Sequence, residues 1–248
     1  MRDRHEPDTS SIALYLTPEH DCSYLPGRLA RTLFIDPTTA PDPALYQYLL
    51  NAGFRRSGDH VYRPHCSACQ ACVPVRLLAA EFRPRRSQRR CWRANAEKIR
   101  VQVKPPEFEQ EHFELYLRYI GSRHSEGGMA DADEERYLAF LTTRWCPGEF
   151  VEFRLDDRLL AVAVTDVLSD ALSAVYTFFD PELSAFSPGT FAILWQIAEA
   201  RHRGLRHLYL GYWIGDCNKM NYKDRFRPLE AWDGRQWKRF GPGVSLEV

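Results

Sequence analysis

Three cysteines stand two residues apart in the stretch HCSACQACVPVRL, at Cys66, Cys69 and Cys72. This spacing lets successive thiolates reach one metal ion, and Cys22 or His65 would complete the ligand set. The usual zinc pattern has a second ligand pair further along the chain, and no such pair is visible after Cys72. The spacing therefore predicts a zinc or iron–sulfur site, with a buried thiol cluster of redox role or none as the alternative.

Positive charge is concentrated between Phe82 and Lys104, where nine basic residues stand against the single Glu97. Arginine pairs well with phosphate, so this stretch predicts a surface that binds a polyanion. The alternative is a solvated helix followed by a linker. The residues that we expect to bind phosphates are Arg85, Arg86, Arg89 and Arg90.

A third candidate lies in the stretch Tyr209–Glu230, which begins as an apolar strand and then becomes cationic and aromatic. On a helix, residues three and four apart share a face. That spacing would bring together Lys219, Tyr222, Lys223 and Phe226. A strand followed by a basic helix suits a phosphate or a carboxylate. The alternative is a solvated basic helix with a buried aromatic edge.

The rest of the chain predicts the strands and helices that position these residues. We expect strands over residues 11–16, 73–78, 150–155, 159–168, 171–179 and 207–213, and a hairpin over 54–62. We expect helices over residues 42–53, 107–121 and 133–145, and from Ser187 to Gly204. The start of this last helix, at Gly189-Thr190, is a further candidate for binding an anion.

Composition excludes several classes of protein. The chain has 248 residues with 33 basic and 33 acidic side chains, so nucleic-acid binding must depend on local patches. No apolar run approaches the ~20 residues that a membrane span needs. The N-terminal sequence is polar, without the apolar segment of a signal peptide, so we expect a cytoplasmic protein. In that compartment the seven cysteines are better explained as metal ligands or thiols than as disulfides.

Three motifs in one order carry a resemblance to the arginyl/leucyl-tRNA–protein transferases. They are CSYLPGR at Cys22–Arg28, YRPHCSACQACVPVR at Tyr62–Arg76, and Tyr209–Glu230 with its core KMNYKDRFRP. The resemblance covers essentially the whole chain. The order of elements and the resemblance together imply an α+β fold with a mixed sheet and flanking helices, similar to the acyl-CoA N-acyltransferase (GNAT) fold in tandem halves. Pro105-Pro106 would divide residues 1–105, with the cysteine motif and the basic stretch, from the GNAT-like aminoacyltransferase half, 106–248.

The resemblance also implies a reaction. The short chain is similar to the bacterial branch, which moves leucine from leucyl-tRNA to the N-terminal Asp or Glu of proteins and so marks them for degradation by the N-end rule. The longer eukaryotic arginyl enzymes are less similar, and a second cysteine that their first motif has near Leu25 is missing here. The implied partners are aminoacyl-tRNA as donor and proteins with an acidic N-terminal residue as acceptors, without a membrane.

The chemistry of such a transfer needs little from the protein. An aminoacyl ester is already activated, so an amine attacks it without ATP, CoA or another required cofactor, once the reactants are oriented and the oxyanion is stabilised. The basic stretch would hold the tRNA. The residues that we expect to bind the substrates are Tyr24, Arg76, Lys219, Tyr222, Lys223 and Arg227.

The catalytic residue is unknown at this stage. No Ser-His-Asp series is apparent, so we expect no covalent enzyme intermediate. Asp216, Tyr222 and His124 are unranked candidates for a general base.

Other functions stay open from the sequence. One is an arginyl-tRNA–protein transferase. Another is a CoA-dependent N-acetyltransferase, although SPGTF before the helix at Gly189 is a poor pyrophosphate loop. A non-catalytic, metal-stabilised RNA-binding protein would explain the cysteines and arginines but not the apolar second half.

Overall fold

The protein was analysed as a computed structural model, which describes residues 12–39, 41–123 and 133–246. The helices are α1 Pro43–Asn51, α2 Arg86–Asn95, α3 Gln110–Arg123, α4 Glu134–Leu141 and α5 Pro188–His202. The first strands are β1 Leu14–Leu16, β2 His20–Asp21, β3 Leu29–Ala30, β4 Thr32–Ile35, β5 Arg55–Ser57, β6 His60–Pro64 and β7 Val73–Leu78. The others are β8 Ile99–Lys104, β9 Gly148–Leu155, β10 Arg158–Val167, β11 Ala171–Phe179, β12 His207–Trp213, β13 Leu229–Trp232 and β14 Trp237–Phe240.

A large mixed sheet with flanking helices dominates the fold. Its strand order is β14-β13-β7-β12-β11-β10-β9-β8, and within the described chain its pairs are antiparallel except for the parallel pair β11 and β12. A second sheet has the order β1-β4-β6-β5. The mixed sheet and flanking helices are confirmed, whereas tandem GNAT-like halves are not. The division at residue 105 stays a prediction.

Alternate residues of β10 face the two helical layers of the fold. Val162 and Val164 pack with α3 and α4, and Ala161 and Ala163 pack with the start of α5. Successive side chains of a strand point to opposite faces, so an apolar strand of this kind must be covered on both sides. The ten-residue β10 is accordingly buried along almost its whole length.

Helix α1 forms where the local sequence predicts it. The Asp42 carboxylate accepts a hydrogen bond from the backbone N–H of Leu45 at 2.7 Å, and Pro43 occupies the first helical position. Tyr46, with Leu49 and Leu50, is buried on one face. The Tyr46 hydroxyl donates to Asp166 of β10 at 3.0 Å, so α1 fixes the smaller sheet to the larger one.

Gly58, in the turn between β5 and β6, allows the closest backbone approach in this region. Its N–H donates to the carbonyl of Phe140 in α4 at 2.9 Å, and a Cβ placed on it would lie only 2.0 Å from the carbonyl oxygen of Ala139. Its φ of 56° is also in the left-handed region. The β5–β6 hairpin therefore docks on α4 only because residue 58 is glycine.

We expect Gly58→Ala to lower the free energy of unfolding by about 2 to 3 kcal/mol, because strain and clash add. Gly204→Ala is the matched control, since Gly204 has φ 70° but nothing within 4 Å of its added Cβ. It should cost about 1 kcal/mol. Urea denaturation of both variants measures the difference, and equal costs would mean that the contact with α4 yields without penalty.

Most of the expected elements are confirmed. The strand at 73–78, the 54–62 hairpin and the helices at 42–53, 107–121 and 133–145 appear with small shifts of their ends. The basic stretch holds helix α2 followed by edge strand β8, and the hairpins β2–β3 and β13–β14 were not expected. The expected loop 122–130 lies almost wholly outside the described residues. In the described ranges, no helix has the length and apolar character that a membrane crossing requires.

Candidate functional site

The parallel strands β11 and β12 are paired only at their beginnings. Their register runs from Ala171 opposite His207 to Ser173 opposite Tyr209. Beyond these three pairs β11 continues to Phe179 and β12 continues to Trp213. The strands therefore separate, and we call the gap between residues 174–179 and 210–213 the strand cleft.

Two β-bulges lie at the point of separation. The pairing of β12 with β7 shifts between Tyr209 and Gly211, and Gly211 has φ 81°. The pairing of β10 with β11 skips Val175. A bulge bends its strand and increases the local twist, so two bulges just after the last common pair turn the strands apart. Glycine at position 211 supplies the positive φ that the bulge requires.

Helix α5 begins at one side of the strand cleft. A Cβ on Gly189, in its first turn, would lie 3.7 Å from the ring of Phe179, the last residue of β11. Ser187 precedes the helix without a side-chain cap, so its hydroxyl accepts no hydrogen bond from the first backbone N–H groups. The expected anion-binding character of Gly189-Thr190 stays a prediction, and the structure places these residues beside the cleft.

Helix α2 connects the segments that follow the two diverging strands. The Gln88 side chain donates to the Arg225 carbonyl, after β12, at 3.0 Å. The Asn95 side chain donates to the Phe186 carbonyl, just before α5, at 2.7 Å. Trp92 packs on Phe191 of α5 with 5.4 Å between ring centroids. These inward contacts leave the opposite face of α2 to solvent.

That outer face carries exposed arginines. They border an open concavity of about 1170 Å³ together with Ser87 and Ala94. Within the described ranges, no carboxylate lies within ion-pair distance of any of them. We call this group the arginine surface: Arg85, Arg86, Arg89, Arg90 and Arg93. Its uncompensated positive charge is what the spacing predicted for phosphate binding.

The cationic stretch after β12 is folded differently from the expectation. A five-residue 3-10 helix, Asn221–Arg225, replaces the expected α-helix. Lys223 and Phe226 are buried, whereas Lys219 and Tyr222 are exposed, so the expected common face is wrong. The reason is that Phe226 packs on Phe82 and the Lys223 ammonium bonds to the strand, which turns these two side chains inward.

Lys223 contacts β12 in the part of the strand that borders the strand cleft. Its Nζ donates to the Tyr212 carbonyl at 2.7 Å and to the Met220 sulfur at 3.4 Å, and it lies 5.0 Å from the Tyr222 ring centroid. Its residue is only 4% exposed. Burial and the nearby charge of Arg55 lower the pKa of Lys223 to about 7.

Arg55 is the principal site residue that sequence reasoning missed. Its Nη1 donates to the Phe54 carbonyl at 2.8 Å, and Cζ lies 5.2 and 5.9 Å from the ring centroids of Tyr209 and Tyr212. Nε has no hydrogen-bond partner, and no carboxylate of the described chain pairs with Arg55. Two consecutive arginines in a short hairpin strand were the available signal, because successive side chains of a strand point to opposite faces and this strand is buried on both.

The expected cations do not meet in one pocket. Arg76 pairs with Glu230 at 2.7 Å, bonds to Asn51 and lies 4.1 Å from the Trp237 ring centroid. It stands opposite Tyr209, about 10 Å along β12 from the carbonyl that Lys223 contacts. Arg227 donates instead to the backbone carbonyls of Asp224 and Phe240. Their roles in substrate binding stay predictions.

Beside Arg76 lies a second, shallower cavity, of about 360 Å³. It is lined by Tyr48, Asn51, Ala52, Trp232 and Trp237. Its lining residues come from α1, the residue after it, β13 and β14, which sets this cavity apart from the strand cleft.

Four thiols gather near the end of β12, together with Tyr24 and Cys217. They form the cysteine cluster: Cys22, Cys66, Cys69 and Cys72. Burial, and then the charges of the neighbouring thiols, raise the pKa of Cys72 to about 12. Burial also raises the pKa of Tyr24.

Thiolate ligands suit zinc or an iron–sulfur cluster. The described sulfurs do not form a group of three within 4.8 Å of one another. The expected metal site therefore stays a prediction, which metal analysis of protein purified without oxygen would check.

One group of potential ligands does lie within 4.8 Å, formed by Glu109, His112 and Glu152. The Lys104 ammonium pairs with both carboxylates, 2.7 Å from Glu109 and 2.8 Å from Glu152. Hydrogen bonds from Arg154, Lys104 and His112 outweigh burial and lower the pKa of Glu152 to about 2. Since lysine already supplies the positive charge, these residues form a structural ion-pair network.

Of the expected general bases, Asp216 and Tyr222 are exposed at the end of β12, and His124 lies outside the described residues. None of the three is singled out by its position.

Comparison with known proteins identifies the family. The family models for the N terminus and the C terminus of arginine-tRNA-protein transferase match residues 20–90 and 111–233. A protein of Pseudomonas fluorescens named aspartate/glutamate leucyltransferase is 49% identical over 93% of this chain and 97% of its own. Its namesake from Halorhodospira halophila is 52% identical over 92% and 98%.

Solved structures are more distant. FemX covers 85% of this chain and 82% of its own with a TM-score of 0.46 and 10% identity, which is too remote to carry an argument. The two family models, matched in chain order, and the near full-length relatives show that this chain belongs to the tRNA–protein transferase family and is an aminoacyltransferase.

Proposed function

We propose that this enzyme transfers leucine from leucyl-tRNA to the N-terminal Asp or Glu of acceptor proteins and thereby marks them for degradation by the N-end rule. The observation that carries the proposal is the strand cleft, flanked by α5 and by the arginine surface of α2. The relatives named aspartate/glutamate leucyltransferase support the choice of donor and acceptor. We expect the reaction to take place in the cytoplasm, where charged tRNA is supplied.

The tRNA would lie on the arginine surface with its 3′ end directed into the strand cleft. Exposed arginines without carboxylate partners are free to bind phosphates. Because α2 is hydrogen-bonded to the segments after both β11 and β12, a phosphate backbone held there is close to both walls of the cleft. An extended single-stranded 3′ end is thin enough to enter between two strands.

The reaction needs orientation and charge stabilisation more than a nucleophilic side chain. The acceptor's α-amino group attacks the ester carbonyl of the aminoacyl group, and the ribose oxygen leaves. Backbone N–H groups at the cleft edges and at the start of α5 are suitable donors for the developing oxyanion. We place the acidic acceptor on the side of Tyr24 and Lys219, which are exposed beside the end of β12.

The donor side favours an apolar amino acid. The end of β12 carries the apolar and aromatic residues Leu210, Tyr212, Trp213 and Ile214. A leucine side chain gains free energy from such surroundings, whereas an arginine side chain would need carboxylates.

A competition assay tests donor and acceptor together. The enzyme receives an Asp-starting peptide with leucyl-tRNA and arginyl-tRNA at equal concentration, and mass spectrometry identifies the added residue. We expect leucine to be added and arginine to be nearly absent. Peptides starting with Asn serve as the acceptor control and acetyl-CoA as the donor control. Preferential transfer of arginine, or of acetyl, would contradict the proposal.

A further inference from the structure

Two buried cations meet at the end of β12 without a carboxylate between them. The Arg55 Nη2 donates to the Gly211 carbonyl at 3.5 Å, and the Lys223 Nζ donates to the next carbonyl, that of Tyr212, at 2.7 Å. Both residues are less than 7% exposed, and no carboxylate of the described chain pairs with either one. Buried charges are normally paired, because desolvation strongly disfavours a lone ion. The free-energy cost of burying these two cations is reduced if one of the two side chains is neutral.

Lysine is the side chain that can become neutral. The guanidinium of Arg55 keeps its charge in proteins, whereas a desolvated lysine beside another cation loses its proton near neutral pH. The groups that face Lys223 are Arg55 from β5, Tyr212 from β12, Cys217 from the turn after β12, and Tyr222 from its own segment. Burial and Arg55 lower the pKa of Lys223, and the weaker effect of Cys217 raises it.

The position of Lys223 suits a role in the reaction. Tyr212 lies on β12 beyond its last pair with β11, so the amine contacts β12 in the part of the strand that borders the strand cleft. A neutral Nζ still donates its two hydrogens to Tyr212 and Met220, and its lone pair is then available to accept a proton. The exposed candidates Asp216 and Tyr222 lack this desolvation.

We propose that Lys223 is the proton acceptor of the transfer reaction, with Arg55 as the positioning residue that keeps it neutral. The assignment depends on the proposed function. The neutral amine of the acceptor forms a C–N bond with the ester carbonyl carbon, and the nitrogen gives its extra proton to Nζ. The C–O bond to the ribose then breaks, and Nζ returns that proton to the leaving oxygen. Ester and amine become amide and alcohol, and Lys223 ends neutral.

The pH dependence of kcat/KM for the acceptor peptide tests the assignment. The reactive complex must have lost one proton from the peptide amine and one from Lys223. Below about pH 6 a plot of log kcat/KM against pH should therefore have a slope of about two in the wild type and about one in Lys223→Met. Lys223→Met should also lower kcat about 10²-fold or more. Lys238→Met, which removes an exposed lysine on β14, is the matched control with unchanged slope and rate.

Arg55→Met supplies an independent measurement with Lys223 intact. Losing the charge of Arg55 raises the pKa of Lys223. The region in which log kcat/KM rises with a slope of about two should therefore extend to higher pH in this variant. Thermal unfolding and tRNA affinity verify that each variant is folded. If Lys223→Met keeps a slope of two below about pH 6, Lys223 is not the proton acceptor, whatever the rate of that variant. The same conclusion follows if Arg55→Met is folded but its plot of log kcat/KM has the slope of two over the same pH range as the wild type. If the wild-type enzyme transfers no leucine, the proposed function fails together with the assignment of Lys223. If it transfers leucine but the variants behave as described above, only the assignment of Lys223 fails.

Discussion

Replacing four arginines of the arginine surface by glutamine is expected to weaken tRNA binding on the order of 10²-fold at about 0.15 M salt. The four are Arg85, Arg86, Arg89 and Arg90. Each phosphate contact that is lost lowers the slope of log K against log salt by roughly 0.7 to 0.9, so the slope should fall by about 3. Because these side chains are exposed and unpaired with any described carboxylate, their loss should leave the fold intact.

The control variant carries glutamine at Arg118 and Arg144, which are exposed arginines on α3 and after α4. These elements cover the face of the large sheet opposite to α5. Fluorescence anisotropy of labelled tRNA over a range of salt concentrations measures both affinities and slopes. An unchanged slope in the fourfold variant would show that the arginine surface is only a solvated face.

The second large effect concerns stability. Asp166→Asn should lower the free energy of unfolding by about 3 to 5 kcal/mol, because it leaves the buried Arg56 without its counter-charge. The Arg56 Nη2 and the Asp166 Oδ1 are 2.5 Å apart, with side chains 2% and 0% exposed. Tyr46 donates to the same carboxylate, so the variant also weakens the junction between α1 and β10.

Glu182→Gln is the control for this stability measurement, since Glu182 is 79% exposed and pairs with the half-exposed Arg158. An exposed ion pair contributes about 0 to 1 kcal/mol. Guanidinium denaturation of both variants gives the comparison. A cost below about 1 kcal/mol for Asp166→Asn would mean that Arg56 finds other partners in the folded state.

Local sequence carries enough information for most elements of this fold. The start of α1 is identified by its cap, because Asp42 and Pro43 act on residues close in the chain. Strand β10 is identified by its apolar run, because the strand is buried on both faces. The edge strand β8 was missed although Ile99, Val101 and Val103 alternate with three polar residues, because its basic residues were interpreted as part of the polyanion-binding stretch. The hairpin of β13 and β14 was missed as well, and it too lies at an edge of the large sheet.

The site depends on contacts between distant parts of the chain. Arg55 and the Gly211 carbonyl are 156 residues apart, and no periodicity within either segment predicts their meeting. Lys223 was expected on one helical face with Lys219 and Tyr222 because of their spacing, whereas the hydrogen bond to Tyr212 fixes it inside. Gly211 within an apolar strand was the one local signal of the bulge that opens the cleft.

The most direct measurement is photo-crosslinking with a tRNA whose 3′ end carries a photoreactive phenylalanine analogue in a non-transferable amide linkage. Peptide mapping then locates the aminoacyl group on the enzyme, and excess leucyl-tRNA should suppress the specific label. If transfer takes place in the strand cleft, the label lies within residues 174–179 or 210–213. Label concentrated instead at Tyr48, Trp232 and Trp237, which line the second cavity, would contradict the account.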